Sequence, residues 1–273
     1  MNDVLQESLY SKDKKQFEVV RAVATEFLNR YCGKIIIGNS IFGIVENYAR
    51  KKEMSLEVLR YPFQDDELWA FTFVKKGTIF LCVNSDLAMC KQFFAVAHEL
   101  YHIQCYAEDT DRSTIASGSL VNSNTVDDIA KTQEDLEANA FAGLLLMSDM
   151  SMKEQLSVFG ISGDSISVDD VLLLMDLFAL PYKAVILRLY EGDNITEDKA
   201  NELLGYDSDF VQQRIELTGK AKQWQLDSRK IEHFGSLMDN LEYNADFELL
   251  TDSRESSDRE YLEKIKKGFR NES

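Results

Sequence analysis

No apolar run in this sequence is long enough to cross a bilayer: the longest, around Phe141 to Met147 and Val171 to Leu174, fall well short of the ~20 residues a spanning helix needs. The stretch Met1 to Lys15 is polar and lacks the apolar core of a secretory signal, so the expectation is a soluble, cytoplasmic protein with no membrane partner. Cys32, Cys82, Cys90 and Cys105 form no Cys-x-x-Cys pair, and a chain of 273 residues needs no disulfide framework. They read as reduced thiols filling a core. Basic residues are scarce, 30 Lys plus Arg against 47 Asp plus Glu, and the resulting net charge of −17 repels a phosphate backbone. Direct nucleic-acid binding is therefore not expected.

What is present suits a globular chain, with 45% hydrophobic and 11% aromatic residues. Apolar positions Phe17, Val20, Val23, Ala24, Phe27 and Leu28 follow helical spacing and predict an amphipathic helix over Asp13 to Cys32. A second helix is expected from Asn39 to Lys52. From Leu56 the pattern turns to β, with strands at Leu56 to Pro62, Leu68 to Val74 and Thr78 to Val83. A turn at Lys75, Lys76 and Gly77 joins the last two, predicting a small antiparallel sheet. Asp86 to Tyr106 contains no Gly or Pro and is apolar almost all round, as a buried helix should be.

Ala107 to Asn124 reads as a polar surface loop, and a helix resumes over Thr125 to Ser148. Beyond Met150 the chain reads as wholly helical. Candidates lie at Val168 to Leu180, Pro181 to Glu191, Thr196 to Leu204, Arg229 to Tyr243 and Asp258 to Phe269, with the last 25 or so residues free to fray.

Only three histidines occur, and two of them fall in His98-Glu99-Leu100-Tyr101-His102, the His-Glu-x-x-His pattern of zinc peptidases. Residues four apart on a helix project from adjacent turns of one face, so both imidazoles can reach one tetrahedral ion. Glu99 sits beside that face, placed to take a proton from water activated by the ion and to pass it to a leaving amine. The competing reading is two buried histidines with Glu99 in a salt bridge, but two such groups are costly to bury without a shared partner.

A third ligand is required. His233 lies far downstream in a charged stretch read as helical, where a solvated surface role suits it better. The helix over Thr125 to Ser148 offers Glu134 and Glu137. In projection Glu137 shares an apolar stripe with Ala130, Ala140, Phe141 and Leu144, whereas Glu134 lies at its edge and Asp135 opposite. A charge on that stripe needs a partner, either a metal or an Arg or Lys, and Glu137 is the expected third ligand.

At these residues the chain resembles the ImmA/IrrE metallo-endopeptidases. Ile79 to Asp86 followed by Phe93 to His102 is similar to that family's strand and metal helix. Glu137-Ala138-Asn139-Ala140-Phe141-Ala142-Gly143-Leu144-Leu145-Leu146-Met147 is similar to its second signature. The resemblance implies zinc on His98, His102 and Glu137, with Glu99 as catalytic acid and base; Mn2+ or Fe2+ also suits two histidines and a carboxylate. It further implies a protein substrate, in that family a transcription repressor cut by an intracellular regulator. Tyr101 stands where the family usually has Gly and Ser148 where it usually has Pro. Tyr101 reads as a packing residue, the alternative being a phenol offered to the transition state.

The expected fold is α+β: a zincin-like metallopeptidase core over residues 1–150, a small antiparallel sheet plus metal-binding helices, followed by an all-helical region over 151–273. Two other functions compete. A zinc-containing interaction protein could regulate its partner by binding alone, although the intact Glu99 argues against it. Val168 to Leu189 could be a DNA-reading helix pair, but it carries only Lys183 and Arg188 against Asp169, Asp170 and Asp176, and reads better as a packing module.

Overall fold

Helices dominate the computed structural model, which describes residues 2–33, 36–63, 65, 67–108, 133–221 and 233–268. In chain order the elements are α1 (Asp3–Gln6), α2 (Leu9–Lys12), α3 (Lys14–Tyr31), α4 (Ile41–Lys51), β1 (Ser55–Tyr61), β2 (Ala70–Lys75), β3 (Thr78–Asn84), α5 (Met89–Glu108) and α6 (Gln133–Leu146). There follow α7 (Asp149–Phe159), α8 (Val168–Phe178), α9 (Tyr182–Glu191), α10 (Glu197–Leu204), α11 (Ser208–Thr218), β4 (His233–Phe234), α12 (Leu237–Asp246) and α13 (Asp252–Gly268). No described helix is long and apolar enough to cross a membrane.

The helix expected from Asp13 is α3. The Asp13 side chain accepts from the Gln16 amide at 3.0 Å, satisfying one orphan donor of the first turn. Its stripe Phe17, Val20, Ala24 and Phe27 is buried against α6, and each large side chain there contributes about 1.5–3 kcal/mol. Ser148, which stands where the resembling family usually has Pro, caps α7 by accepting from the Ser151 amide at 3.2 Å. The helices α1, α2, α7 and α11 were not anticipated individually.

The sheet differs from the expected antiparallel one. Its order is β2-β3-β1-β4, with β2 antiparallel to β3 as the turn predicted, but β1 parallel to β3. Strand β3 takes the centre because it is the most apolar, with Ile79, Leu81 and Val83 almost fully buried. The connection between β1 and β2 is too long for a tight hairpin, and its described residues Phe63, Asp65 and Leu68 lie against the end of β3. Asn84 holds it there: its Oδ1 accepts from the Phe63 amide at 3.1 Å, and its Nδ2 donates to the carbonyls of Asp65 and Leu68 at 2.7 and 2.9 Å. At the β2–β3 turn Lys76 and Gly77 both have positive φ, 52° and 78°, the backbone that suits the twist of a two-residue hairpin.

The region beyond Met150 is not wholly helical. β4 pairs antiparallel with β1, placing His233 opposite Arg60, so His233 lies on a strand and not in the charged helix expected for it. Local pattern could not reveal this two-residue strand, because only the edge of β1 supplies its hydrogen-bond partners. Helix α5 continues to Glu108, into the stretch read as a loop. The remainder of that loop and the expected helix start at residues 125–132 lie outside the described residues, as do 229–232. One apolar cluster runs from Leu5 to Ala221, so α8 to α11 share their core with the sheet and the first helices.

Candidate metal centre

Helix α5 packs on β2 and β3 on one side and on α6 on another, which buries both ring systems of the motif: His98 is 2% exposed and His102 1%. Their Nε2 atoms face each other at 3.2 Å. Helix α6 holds the far side of each ring. Asn139 Oδ1 lies 3.0 Å from His98 Nδ1, and Glu134 Oε1 lies 2.6 Å from His102 Nδ1. A carboxylate can only accept, and the Asn139 oxygen likewise, so these contacts assign the proton of each neutral ring to Nδ1 and leave a lone pair on Nε2.

Asp135 completes the group, with Oδ1 3.6 Å from His102 Nε2. One donor atom from each of His98, His102 and Asp135 falls within 4.8 Å of the others. Two imidazole nitrogens and a carboxylate oxygen, with each imidazole steered through its other nitrogen, fit a catalytic zinc site that keeps its fourth position open.

Burial pushes the His98 pKa well below its usual value, and the neighbouring His102 adds to this; the bond to Asn139 opposes both without reversing them. Burial acts the same way on His102, but there the hydrogen bond to Glu134 and the negative charges of Glu99, Glu134 and Asp135 win, and its pKa rises. Without metal, the pair therefore has one neutral ring beside one that readily takes a proton. Metal binding has to displace that proton.

Glu137 is not brought to the histidines. Its Oε2 accepts from the Tyr101 hydroxyl at 2.7 Å, and its Oε1 accepts from Gln16 at 2.9 Å and Gln133 at 3.2 Å. On a helix it stands roughly 200° from Asp135. Helix α6 packs against both α3 and α5 and is buried over most of its surface, so an apolar face does not by itself single out the side that meets the histidines. Tyr101 is 8% exposed, packs on Phe141 with ring centroids 5.3 Å apart and donates its hydroxyl to Glu137. Burial, then the bond to Glu137, raises its pKa.

Glu99 is fully buried and accepts from the Thr72 hydroxyl on β2 at 2.7 Å. Asp135, Asn139 and Thr72 were missed from sequence. Asp135 and Asn139 share the four-residue spacing of His98 and His102, a signal that could have paired the two helices.

Both signatures and the strands that precede them fall in one match: the family model described as Peptidase M78, the IrrE N-terminal-like domain, covers residues 51–190, just over half of the chain. The chain belongs to this family. No curated protein and no solved structure matches it. Family membership makes it a metallopeptidase-like domain, with a zincin-like core implied. The matched span also contains the helix pair considered for DNA, and there Arg188 is only 1% exposed. Its guanidinium donates to the Met147 carbonyl at 3.2 Å, to Glu191 at 2.8 Å and to Asp149 at 2.6 Å, so it is committed to the interior of the IrrE-like fold and cannot reach a phosphate.

Proposed function

We propose that this chain is a zinc-dependent endopeptidase that makes limited cuts in a protein partner, with His98, His102 and Asp135 holding the ion and Glu99 exchanging the protons. The observation that carries the reading is the pair of buried Nε2 atoms 3.2 Å apart, each on a ring whose other nitrogen is held by an oxygen from α6. Two lone pairs at that separation need a proton or a metal ion between them, and a metal ion satisfies both at once together with the Asp135 carboxylate. Zinc supplies Lewis acidity there, polarising a peptide carbonyl and acidifying water; Mn2+ and Fe2+ suit the same donors.

Glu99 follows His98 on α5 and lies beside these donors. Its carboxylate accepts a proton from the attacking water and returns it to the leaving amine, so the bond from carbonyl carbon to nitrogen breaks as the carbon keeps the water oxygen. The proposed substrate is a cytoplasmic DNA-binding repressor. The family resemblance suggests it, and a basic DNA-reading surface would be steered toward a chain of net charge −17 at low salt. A non-catalytic interaction protein remains the second reading, and Glu99 beside the donors speaks against it.

The test is Glu99→Gln, which keeps shape but cannot carry the proton. Zinc content should stay near one per chain while cleavage in a lysate of the native host, read as new N-termini by mass spectrometry, disappears as it does with chelator. Cleavage by the variant at the wild-type rate would refute the mechanism. A wild-type chain that binds zinc and cuts nothing would favour the interaction protein.

A further inference from the structure

The face of the sheet turned toward α5 is mostly apolar, apart from Arg60 on β1, whose guanidinium donates to Gln92 of α5 at 2.8 Å. Ala70, Ile79, Leu81 and Val83 are at most 1% exposed there, with Val58 beside them. Thr72 interrupts it. It stands on β2 opposite Leu81, between Ala70 and Val74, and is 2% exposed. A buried hydroxyl on an apolar sheet face is costly unless it is hydrogen-bonded, and valine would fill the same β-branched shape without that cost. The hydroxyl is bonded to Glu99 Oε2 at 2.7 Å, the short range of an O–H donor on a carboxylate.

We propose that Thr72 is the positioning residue of Glu99: its hydroxyl, carried by a rigid strand, fixes the rotation of the carboxylate that exchanges protons with water and leaving amine. The proposal rests on the peptidase reading and adds a part to it. A glutamate side chain has three rotatable bonds, and α5 controls only the first of them through its backbone. A strand residue anchored by β2–β3 pairing restricts the remaining freedom by holding Oε2. Threonine suits the task because its own χ1 is restricted, so the donor is held before substrate arrives.

The test compares Thr72→Val, which keeps volume and branching but deletes the donor, with Thr72→Ser, which keeps the donor. For turnover, a proteome-derived peptide library is cut by the zinc-loaded wild type, and the best-cleaved sequence is resynthesised as a quenched fluorogenic peptide. Thr72→Val should lower kcat about 10- to 100-fold with KM little changed, and Thr72→Ser should recover most of it. Zinc content and melting temperature should match the wild type in both variants.

A second readout needs no turnover. Acetohydroxamate carries an N–H and an O–H that a correctly turned Glu99 carboxylate can accept, so its affinity for the zinc-loaded protein should fall about tenfold in Thr72→Val and return in Thr72→Ser. Unchanged kcat and unchanged acetohydroxamate affinity in Thr72→Val would overturn the proposal. So would losses shared equally by the Ser variant, which would mark a packing role. If the wild type cuts no peptide yet acetohydroxamate affinity follows the pattern above, the positioning role stands and the peptidase reading fails. A protein that binds no zinc sinks both.

Discussion

Asp135 and Glu137 stand two residues apart on α6, and exchanging each in turn should separate metal binding from stability. Asp135 Oδ1 is 3.6 Å from His102 Nε2, and its side chain is 19% exposed. Asp135→Ala should therefore lower zinc affinity by well over the roughly 10- to 100-fold typical of losing a group that only supports a ligand, at a smaller cost to the metal-free fold than Glu137→Ala. Glu137→Ala should do the reverse. It strands the Tyr101 hydroxyl, 2.7 Å from its acceptor in a site where the ring is 8% exposed, and removes the acceptor for Gln16 and Gln133. A buried donor left without its partner costs about 1–3 kcal/mol, with the two glutamine bonds adding less because water can replace the acceptor there. For a chain of this size that amounts to a fall in Tm of roughly 2–12 °C. Chelator competition gives the affinities, and thermal melting of the metal-free proteins gives the stabilities. Zinc affinity lost more in Glu137→Ala than in Asp135→Ala would refute the ligand set derived from the geometry.

Arg188→Met should destabilise by about 3–5 kcal/mol at pH 7, because it leaves Glu191, whose side chain is 2% exposed, without the guanidinium 2.8 Å away. Burial raises the Glu191 pKa despite Arg188, so the folded state binds its proton more readily than the unfolded chain does. Stability from this group is thus fully present below the unfolded carboxylate range and is lost as pH rises through the folded value. The deficit of Arg188→Met should consequently shrink between pH 7 and pH 5 in urea melts, and Glu191→Gln should relieve it; a pH-independent deficit would contradict the assignment. Gly143→Ala places a Cβ 2.8 Å from Arg188 Cδ, a side chain fixed by three hydrogen bonds, and should cost about 1–3 kcal/mol by thermal melting. A neutral result would mean that Arg188 is free to shift.

The sequence by itself determined whatever depends on neighbours along the chain. The stripe Phe17, Val20, Ala24 and Phe27 specifies α3 because burial repeats with the helical period. Lys76-Gly77 specifies the β2–β3 hairpin through backbone conformation. His98, Glu99 and His102 were legible because four-residue spacing alone puts two imidazoles on one face.

Tertiary structure decided whatever depends on which side of an element meets which neighbour. The strand order rests on β3 being the most apolar strand and on Asn84 holding the loop between β1 and β2, and β4 exists only because the edge of β1 is there to pair with it. That Asp135 rather than Glu137 faces the histidines was hidden for the same reason. A helix buried on most sides has no single inward face, so only its docking between α3 and α5 turns Glu134, Asp135 and Asn139 to the histidines and Glu137 to Tyr101. Thr72 reaches Glu99 across 27 residues of chain, a contact that no local periodicity encodes and that the packing of α5 on β2 creates.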